Sequence, residues 1–112
     1  MKDVSLIVYP AADMAKAKRF FRELTGVEPY ADSPYYTGYK SGDMEIGLVP
    51  NGPPSGPIAY WDVTDIAASV KALVDAGGTV TKEITDVGHG MLVANIQDPN
   101  GSLVGLRQPP RA

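Results

Sequence analysis

Few side chains in this sequence are suited to catalysis or to metal binding. There is one histidine, His89, which lies between two glycines, and there is no cysteine. Thiol chemistry and disulfides are therefore excluded, and a serine nucleophile paired with histidine would have to use His89. The G-x-S-x-G, P-loop and G-x-G-x-x-G motifs are absent. The remaining acid–base candidates are carboxylates, and the two that the predicted strands place best are Glu45 and Asp62.

The charge balance and the N-terminus exclude several classes of partner. The 112 residues carry a net charge of -3, and the sequence pI is near 4.9. Nucleic acids and anionic membranes are bound by clustered Lys and Arg, so this balance argues against both. The apolar run after Met1-Lys2-Asp3 is about seven residues long, too short for a transmembrane helix, and no signal-peptide pattern follows it. We therefore expect a cytoplasmic protein.

One pattern occurs twice in the chain, at an offset of about fifty residues. In both copies a short apolar strand is followed by an aspartate, Asp13 or Asp65, which predicts a helix cap. Apolar residues then recur at the spacing of a core-facing helix. They are Met14, Ala17, Phe21 and Leu24 in the first copy, and Ile66, Ser69, Val70, Leu73 and Ala76 in the second. The glycines Gly26 and Gly77-Gly78 predict where the helices end.

Each copy has room for three more strands, which predicts a βαβββ module in each half. The final strands follow the turn sequences Ser41-Gly42-Asp43 and Asp98-Pro99-Asn100-Gly101. The predicted strands after the helices are 30–33, 35–40 and 45–49 in the first half, and 80–85, 91–97 and 103–107 in the second. The proline- and glycine-rich residues 51–57 are predicted to be a linker. The chain is thus predicted to be one domain with modules at 1–50 and 58–112.

A repeated βαβββ unit with Asp-Pro-Asn-Gly before its last strand resembles the vicinal-oxygen-chelate superfamily of glyoxalases, bleomycin resistance proteins and extradiol dioxygenases. The segments VYPAADMAKAKRFF and GPIAYWDVTDIAASVKALVDAGG carry the resemblance, which covers nearly the whole chain. It implies an α+β fold in which the two modules form a U-shaped mixed sheet, with the helices outside and a ligand groove on the concave face. It also implies a homodimer, with modules paired within a chain or exchanged between chains.

Enzymes of this superfamily usually hold a divalent metal through His or Glu on the first and last strand of each module. The resemblance places those positions at Leu6, Gly47, Ile58 and Gly105, and none of these side chains is a metal ligand. It therefore implies a metal-free member that needs no cofactor.

The alternation of side chains along a strand predicts two faces for the sheet. The residues predicted to face the helices are almost all apolar: Ile7, Tyr9, Ile46, Leu48, Ala59, Trp61, Val63, Val104 and Leu106. The residues predicted to line the groove are more mixed: Leu6, Val8, Glu45, Gly47, Val49, Ile58, Tyr60, Asp62, Met91, Val93, Asn95, Leu103, Gly105 and Arg107. Either Tyr35, Thr37 and Tyr39 or Tyr36 and Gly38 would join them, because a slip of one residue exchanges the faces. Such a groove suits a flat organic ligand.

Several of the polar groove residues allow two interpretations. Arg107 and Glu45 either anchor polar groups of a ligand or pair with one another at the groove rim. Asp62 either contacts the ligand, as an acceptor or a general base, or it caps the second helix or is simply solvated. Tyr60 is predicted to be the main ligand contact, since it offers a ring for stacking and a hydroxyl.

The other aromatic residues and the histidine are less informative. Trp61 and Tyr9 are predicted to lie in the core, and His89 is predicted to be a solvated turn residue. The remaining tyrosines could line the mouth of the groove or a dimer seam, and the sequence does not divide these roles among Tyr30, Tyr35, Tyr36 and Tyr39.

Three functions fit this pattern. The first is a binding protein that sequesters an aromatic or antibiotic-like small molecule, which requires affinity and no catalytic residue. The second is a cofactor-independent isomerase, lyase or cyclase, with Glu45 or Asp62 as the base and Tyr60 or Arg107 polarising a carbonyl. The third is an accessory domain that works through its surface.

Overall fold

The computed structural model describes residues 4–50 and 56–110, which contain eight strands and two helices. The described residues divide into two compact units, one formed by Ser5–Ile58 and the other by the residues from Ala59 onward together with Val4. They are here called the N-terminal module and the C-terminal module, and each strand is assigned to the module that holds most of it. The N-terminal module consists of β1 (Val4–Pro10), α1 (Met14–Thr25), β2 (Ala31–Asp32), β3 (Thr37–Ser41) and β4 (Met44–Val49). The C-terminal module consists of β5 (Ile58–Asp62), α2 (Ile66–Asp75), β6 (Thr79–Asp86), β7 (Leu92–Gln97) and β8 (Leu103–Gln108). The predicted α+β class and repeated βαβββ order are confirmed.

In the N-terminal module the strands are ordered β2-β3-β4-β1. Strand β1 is parallel to β4, whereas the β2–β3 and β3–β4 pairs are antiparallel. The register pairs Leu6 with Glu45 and Val8 with Gly47, and it pairs Gly38 with Gly47 from the other side. Residues paired in this way project from the same face of the sheet.

The C-terminal module has the corresponding order β5-β8-β7-β6. Strand β5 is parallel to β8, and the β7–β8 and β6–β7 pairs are antiparallel. Tyr60 and Asn95 both pair with Gly105, and Asp62 pairs with Arg107. These five residues therefore share one face.

Both helices begin at the aspartates that the sequence predicts. The Asp13 side chain accepts a hydrogen bond from the Lys16 backbone N–H at 3.0 Å. The Asp65 side chain accepts one from the Ala68 N–H at 3.1 Å. Each bond satisfies a backbone donor that has no partner within the helix. Neither described helix has the length and apolar character needed to cross a bilayer.

The helix ends differ slightly between the modules. Helix α1 ends at Gly26, whose φ of 73° is the left-handed conformation that glycine adopts without strain. Helix α2 ends at Ala76, one residue before the predicted glycine pair. The following Gly77 has a φ of 108°, and the Gly78 N–H donates to the Leu73 carbonyl at 2.8 Å.

Each helix packs on one face of its own half-sheet. The N-terminal core consists of Ala11, Tyr39 and Leu48, with Tyr9, Met14, Ala17, Phe21 and Ile46 packed against them. The C-terminal core consists of Val63, Ile66, Ala94 and Leu106, with Trp61, Val70, Leu73 and Leu92 packed against them. The predicted helix-facing positions in these sets are confirmed. Leu24 departs from the prediction, because this residue in the last turn of α1 is 67% exposed.

The first inner strands are shorter than predicted. The strand predicted at 30–33 is reduced to Ala31–Asp32, and the next strand starts at Thr37 rather than Tyr35. The intervening residues form a turn in which the Ser33 N–H donates to the Tyr36 carbonyl at 2.9 Å. Pro34 lies within this turn, where it has no ladder hydrogen bond to donate.

Strand β6 forms the end of the C-terminal half-sheet and pairs with β7. The pairing register shifts between Val80 and Lys82 and again between Lys82 and Thr85. Irregularities of this kind bend a strand and increase its twist. All residues of β6 except Val80 are exposed.

The predicted linker at 51–57 lies largely outside the described residues, which resume at Gly56. The division into modules at 1–50 and 58–112 as one domain therefore stays a prediction.

Candidate functional site

The predicted groove residues lie on the face of each half-sheet that is turned away from its helix, here called the open face. In β3 the ring of Tyr39 is buried on the helix side, where its hydroxyl donates to the Lys18 carbonyl at 3.1 Å. Because side chains alternate along a strand, Gly38 and Lys40 belong to the open face. Tyr36 also lies there, since its ring covers Gly47. Of the two registers that the sequence allowed, the second, with Tyr36 and Gly38, is the correct one.

Tyr30, Tyr36 and Glu45 form a hydrogen-bonded group on the open face of the N-terminal module, here called the tyrosine–glutamate cluster. The Tyr30 hydroxyl donates to Glu45 Oε1. The hydroxyls of Tyr30 and Tyr36 are 3.4 Å apart. The Nζ of Lys40 lies 5.4 Å from the centroid of the Tyr30 ring, within the range of a cation–π contact. A carboxylate, two phenols and an ammonium thus meet in one module.

Two glycines provide the space for these rings. A Cβ added at Gly38 would lie 2.6 Å from Tyr30 Cζ, and a Cβ added at Gly47 would lie 2.7 Å from Tyr36 Cε1. Both distances are well below van der Waals contact, so a side chain at either position would displace a ring. A glycine within a strand often marks a place where another group comes close to the backbone, and here that group is a tyrosine ring.

Burial and hydrogen bonding keep two tyrosines of this module protonated. Loss of water contact raises the pKa of Tyr30 above its ordinary value, and the hydrogen bonds with Glu45 and Tyr36 raise it further. Burial, followed by the nearby Asp32 carboxylate, raises the pKa of Tyr39. Tyr30 is therefore a hydrogen-bond donor to Glu45 across the physiological pH range.

The C-terminal module repeats the pairing of tyrosine with glycine. A Cβ added at Gly105 would lie 2.7 Å from Tyr60 Cγ and closer still to Cδ1 and Cε1. The Tyr60 hydroxyl accepts a hydrogen bond from Asn95 Nδ2 at 3.1 Å. The same amide donates to the Ala94 carbonyl at 3.2 Å, which fixes its orientation. The Tyr60 ring is thus held from below by the glycine and at its tip by the amide.

Asp62 and Arg107 form an ion pair on the same open face. Arg107 Nε donates to Asp62 Oδ1 at 2.8 Å. The arginine side chain is 12% exposed and the aspartate side chain 36% exposed, so the pair is partly shielded from water. The helix-cap interpretation of Asp62 is wrong, because Asp65 caps α2.

The aliphatic residues predicted to line the groove are mostly buried. Those that are buried are Leu6, Val8, Ile58 and Val93, together with the glycines Gly47 and Gly105. The other predicted groove residues are partly exposed: Val49, Met91, Asn95, Leu103, Glu45, Tyr60, Asp62 and Arg107. The accessible part of the open faces is therefore contributed mainly by aromatic and polar side chains.

His89 and Trp61 lie outside these groups. His89 is exposed in a turn that the Met91 N–H closes by donating to the Gly88 carbonyl at 3.0 Å, and it has a φ of 56°. Trp61 packs against the C-terminal core. Tyr35 is 78% exposed and outside the ladder. The tyrosines whose roles were undivided therefore separate into one core residue, one surface residue and the two members of the cluster.

A cleft of about 190 Å³ lies beside α1, on the helix side of the N-terminal module. It is lined by Lys18, Arg19, Arg22, Glu28, Pro29, Asp32 and Tyr39. Lys18 Nζ is 3.1 Å from Asp32 Oδ1, and Arg22 Nη1 is 3.6 Å from Glu28 Oε2. Two of its three cations therefore already have anionic partners within the cleft.

The side chains present do not fit the divalent metal that enzymes of the resembled superfamily usually hold. The four implied positions, Leu6, Gly47, Ile58 and Gly105, offer no donor atom in a side chain. At two of them a tyrosine ring fills the space next to the backbone. Within the described residues there is no group of three or more His, Cys, Asp or Glu that could hold a metal ion.

Comparison with known families settles the family of the chain. The family described as "Glyoxalase/Bleomycin resistance protein/Dioxygenase superfamily" matches residues 4–106. The chain belongs to this superfamily. The predicted membership is confirmed, and whether this member is metal-free stays a prediction.

The chain is also similar to curated proteins of the superfamily. It is 32% identical over 112 residues to proteins named "Putative glyoxylase CFP32" from Mycobacterium bovis and Mycobacterium tuberculosis. The match covers 88% of this chain and 42% of the relative. The chain therefore spans less than half the length of the curated relatives it matches.

Solved structures share the fold at low sequence identity. A hypothetical protein from Bacillus halodurans C-125 matches with a TM-score of 0.80 at 14% identity, covering 99% of this chain and 96% of that one. A methylmalonyl-CoA epimerase from Streptomyces coelicolor, in complex with 2-nitronate-propionyl-CoA, matches with a TM-score of 0.74 at 14% identity, covering 99% of both chains. Likeness at this level concerns the fold alone.

The sequence alone assigns Tyr30 and Tyr36 no definite role and does not place Lys40 among the groove residues. The signal that could have found the two tyrosines is the pair Gly38 and Gly47, which lie opposite one another in neighbouring strands. Glycine weakens a strand, so two facing glycines suggest that another group approaches the backbone there.

Proposed function

We propose that this protein is a metal-independent small-molecule-binding protein that sequesters an aromatic or antibiotic-like ligand on the open faces of its modules. The observation that carries the proposal is the tyrosine ring seated over a glycine in each module, Tyr36 over Gly47 and Tyr60 over Gly105. Both glycines occupy positions where metal-dependent relatives are expected to carry a metal-binding side chain. An aromatic surface takes the place of a metal-binding side chain in both modules.

Tyr60 has the properties of a ligand contact. Its ring offers a flat apolar surface against which a planar ligand can stack. Its hydroxyl accepts from Asn95 and has a hydrogen of its own to donate to an acceptor atom of the ligand. The glycine beneath the ring and the amide at its tip hold Tyr60 in place, which lowers the entropy cost of binding. We assign Tyr60 as the main ligand contact of the C-terminal module.

A cofactor-independent isomerase, lyase or cyclase is the second candidate, because each open face carries a carboxylate. Glu45 already accepts a hydrogen bond from Tyr30, and Asp62 accepts one from Arg107. Sequestration requires affinity and no proton transfer, so we rank binding above this second candidate.

The experiment that tests the proposal is a thermal unfolding screen. Planar aromatic natural products, divalent metals and metals with EDTA are added to separate samples of the purified protein. A ligand at a hundred times its Kd adds about 2.7 kcal/mol to the free energy of unfolding, which is on the order of ten degrees for a domain of this size. We expect such a shift with an aromatic compound and none with a metal. A metal-dependent shift that EDTA reverses would refute the metal-independent assignment.

Variants then separate binding from catalysis. Tyr60→Ala is expected to weaken the ligand more than Tyr60→Phe, which keeps the ring, and Tyr35→Ala is the matched control on the exposed surface. If the ligand is chemically changed, Glu45→Gln and Asp62→Asn identify the base, because turnover disappears in one of them. Binding without turnover in all variants supports sequestration.

Two further expectations accompany the proposal. We expect the protein to form a homodimer, which light scattering on the purified protein tests, and to be cytoplasmic. If no ligand from a broad panel changes the unfolding temperature, the third interpretation, an accessory domain that works through its surface, replaces the binding function.

A further inference from the structure

Tyr60 of β5 and Asn95 of β7 meet above the strand that separates them. Both residues pair in register with Gly105 of β8, one from each side. Neighbouring strands are about 5 Å apart, so the two backbones are separated by roughly 10 Å. The Tyr60 ring covers this distance because Gly105 has no side chain in its path, and Asn95 Nδ2 lies 3.1 Å from the hydroxyl. The two side chains are here called the tyrosine–amide pair.

The hydrogen bonds of the Asn95 amide fix which of its atoms faces Tyr60. Its second contact is with the Ala94 carbonyl, at 3.2 Å. A carbonyl oxygen only accepts hydrogen bonds, so the amide atom beside it is the nitrogen. Both hydrogens of Nδ2 are then used, one by the Ala94 carbonyl and one by the Tyr60 hydroxyl. The hydroxyl is therefore an acceptor towards Asn95, and its own hydrogen is directed to another group.

The tyrosine–amide pair offers one donor and one acceptor to a ligand. Within the part of the chain that the structure describes, neither the Tyr60 hydroxyl hydrogen nor Asn95 Oδ1 has a hydrogen-bond partner. No described side-chain oxygen that lacks a partner is fully buried, so Oδ1 can be reached from outside. Oδ1 belongs to the amide that donates to the hydroxyl, so the donor and the acceptor are side by side. Both residues are only partly exposed and Val93, the next residue of β7 on this face, is buried, which strengthens hydrogen bonds made here.

We propose that the tyrosine–amide pair binds a planar ligand through a cis-amide edge, such as the edge of a lactam ring. The Tyr60 hydroxyl donates to the ligand carbonyl, and the ligand N–H donates to Asn95 Oδ1. In a lactam the carbonyl oxygen and the N–H project from the same side of the ring, which matches the adjacent donor and acceptor of the pair. The inference rests on the proposed function and narrows its ligand from aromatic compounds in general to those that carry this edge.

Asn95 is the residue that determines this specificity. A ligand that has the carbonyl but lacks the N–H displaces water from Oδ1 without replacing its hydrogen bond. A site that hydrogen-bonds a group of the ligand rejects the analogue without that group, because the protein atom is left unpaired. Tyr60 recognises the carbonyl, and Asn95 selects among carbonyl compounds.

The test uses two probes, 2-quinolinone and N-methyl-2-quinolinone, which share the ring system and the carbonyl. Only the first has an N–H, since a methyl group replaces it in the second. Their affinities for the full chain are measured by isothermal titration calorimetry. We expect 2-quinolinone to bind about tenfold more tightly, as one hydrogen bond and the unpaired acceptor in its absence provide. Both probes are uncharged, so the preference should not change with salt concentration.

Two variants assign the two hydrogen bonds separately. Asn95→Leu removes the acceptor, so 2-quinolinone should bind no more tightly than its N-methyl derivative. Asn95→Ala gives the same expectation if the leucine is not accommodated. Tyr60→Phe removes the donor to the carbonyl that both probes share, so it should weaken both about fivefold and preserve the preference for the N–H. Asn100→Leu is the matched control, because Asn100 is an exposed residue of the turn before β8, and it should change neither affinity.

The outcomes separate this inference from the proposed function. If the two probes bind equally well, or if the preference persists in Asn95→Leu because the methyl group is merely too bulky, the cis-amide assignment is wrong while small-molecule binding stands. Binding of other compounds of the aromatic panel but of neither probe has the same meaning. If neither probe and no compound of the panel binds, both the inference and the proposed function are refuted.

Discussion

The contact between Gly105 and Tyr60 predicts that the effect of one substitution depends strongly on the other. A Cβ at position 105 would lie 2.7 Å from Tyr60 Cγ. Since Cγ is at the root of the side chain, a small rotation of the ring does not relieve the clash, and the whole side chain or the strand must shift. Overpacking of this kind costs roughly 1–3 kcal/mol. We therefore expect Gly105→Ala to lower the free energy of unfolding by about 2 kcal/mol.

In a variant that lacks the Tyr60 ring, Gly105→Ala should instead raise the free energy of unfolding. In a Tyr60→Ala background the clash is absent, and an alanine replaces a glycine within a strand, which stabilises by about 0.5–1 kcal/mol. The coupling energy between the two positions should then be about 2.5–3 kcal/mol.

Urea denaturation of the wild type, both single variants and the double variant measures this coupling. Unfolding is followed by the fluorescence of Trp61, the single tryptophan of the chain, and by circular dichroism as a second probe. Gly47→Ala is the matched control, because the clash there involves Cε1, Cζ and the hydroxyl at the far end of the Tyr36 ring, so a smaller cost is expected. An equal cost of Gly105→Ala in both backgrounds would refute the reasoning.

Three other substitutions test the site and its supports. Asp62→Asn removes the charge that faces Arg107 and should lower the free energy of unfolding in urea by about 1–2 kcal/mol; an unchanged midpoint contradicts a contribution from the ion pair. Asp65→Ala removes the cap of α2 and should cost about 1 kcal/mol in thermal unfolding, whereas Asp65→Asn should retain most of the stability. Because the pKa of Tyr30 is raised in the folded protein, its stabilising effect is complete below its ordinary value of 10.0 and is lost as the pH rises above it. Tyr30→Phe should therefore flatten the fall in stability at alkaline pH, and a fall as steep as that of the wild type would show that Tyr30 does not cause it.

Much of the fold was predictable because its signals are local and occur twice. Asp13 and Asp65 were recognised as caps, since a side-chain acceptor next to an apolar helical stripe has few other roles. The helix-facing residues were recognised because their alternation with the open face follows from strand geometry alone.

The errors lie where local signals compete with tertiary packing. Leu24 continues the apolar spacing of α1, but the stripe reaches the core only as far as Phe21. Tyr35 and Tyr36 are residue types that favour strands, yet Ser33 closes a turn with Tyr36 around Pro34 instead. A difference of one residue in such a turn decides the face on which every later side chain lies.

The candidate site was predicted in its composition but not in its contacts. Glu45 and Tyr60 were assigned to the open face from the alternation of the final strands and of β5. The hydrogen bond from Tyr30 to Glu45 joins residues fifteen positions apart and depends on the course of the short β2 strand, which no periodicity encodes. The ion pair between Arg107 and Asp62 was missed for the same reason, since it joins residues 45 positions apart that strand pairing brings together.

The irregular pairing of β6 affects how readily the protein aggregates at high concentration. An exposed terminal strand offers its outer backbone groups to any extended segment of another molecule, which is how sheets grow into aggregates. The register shifts at Val80, Lys82 and Thr85 break the even spacing of those groups, and a regular incoming strand can match only a few of them at a time. Lys82 and Glu83 add charges that such a strand would have to accommodate. The register shifts of β6 therefore oppose the fibrillar association to which sheets with an exposed terminal strand are prone.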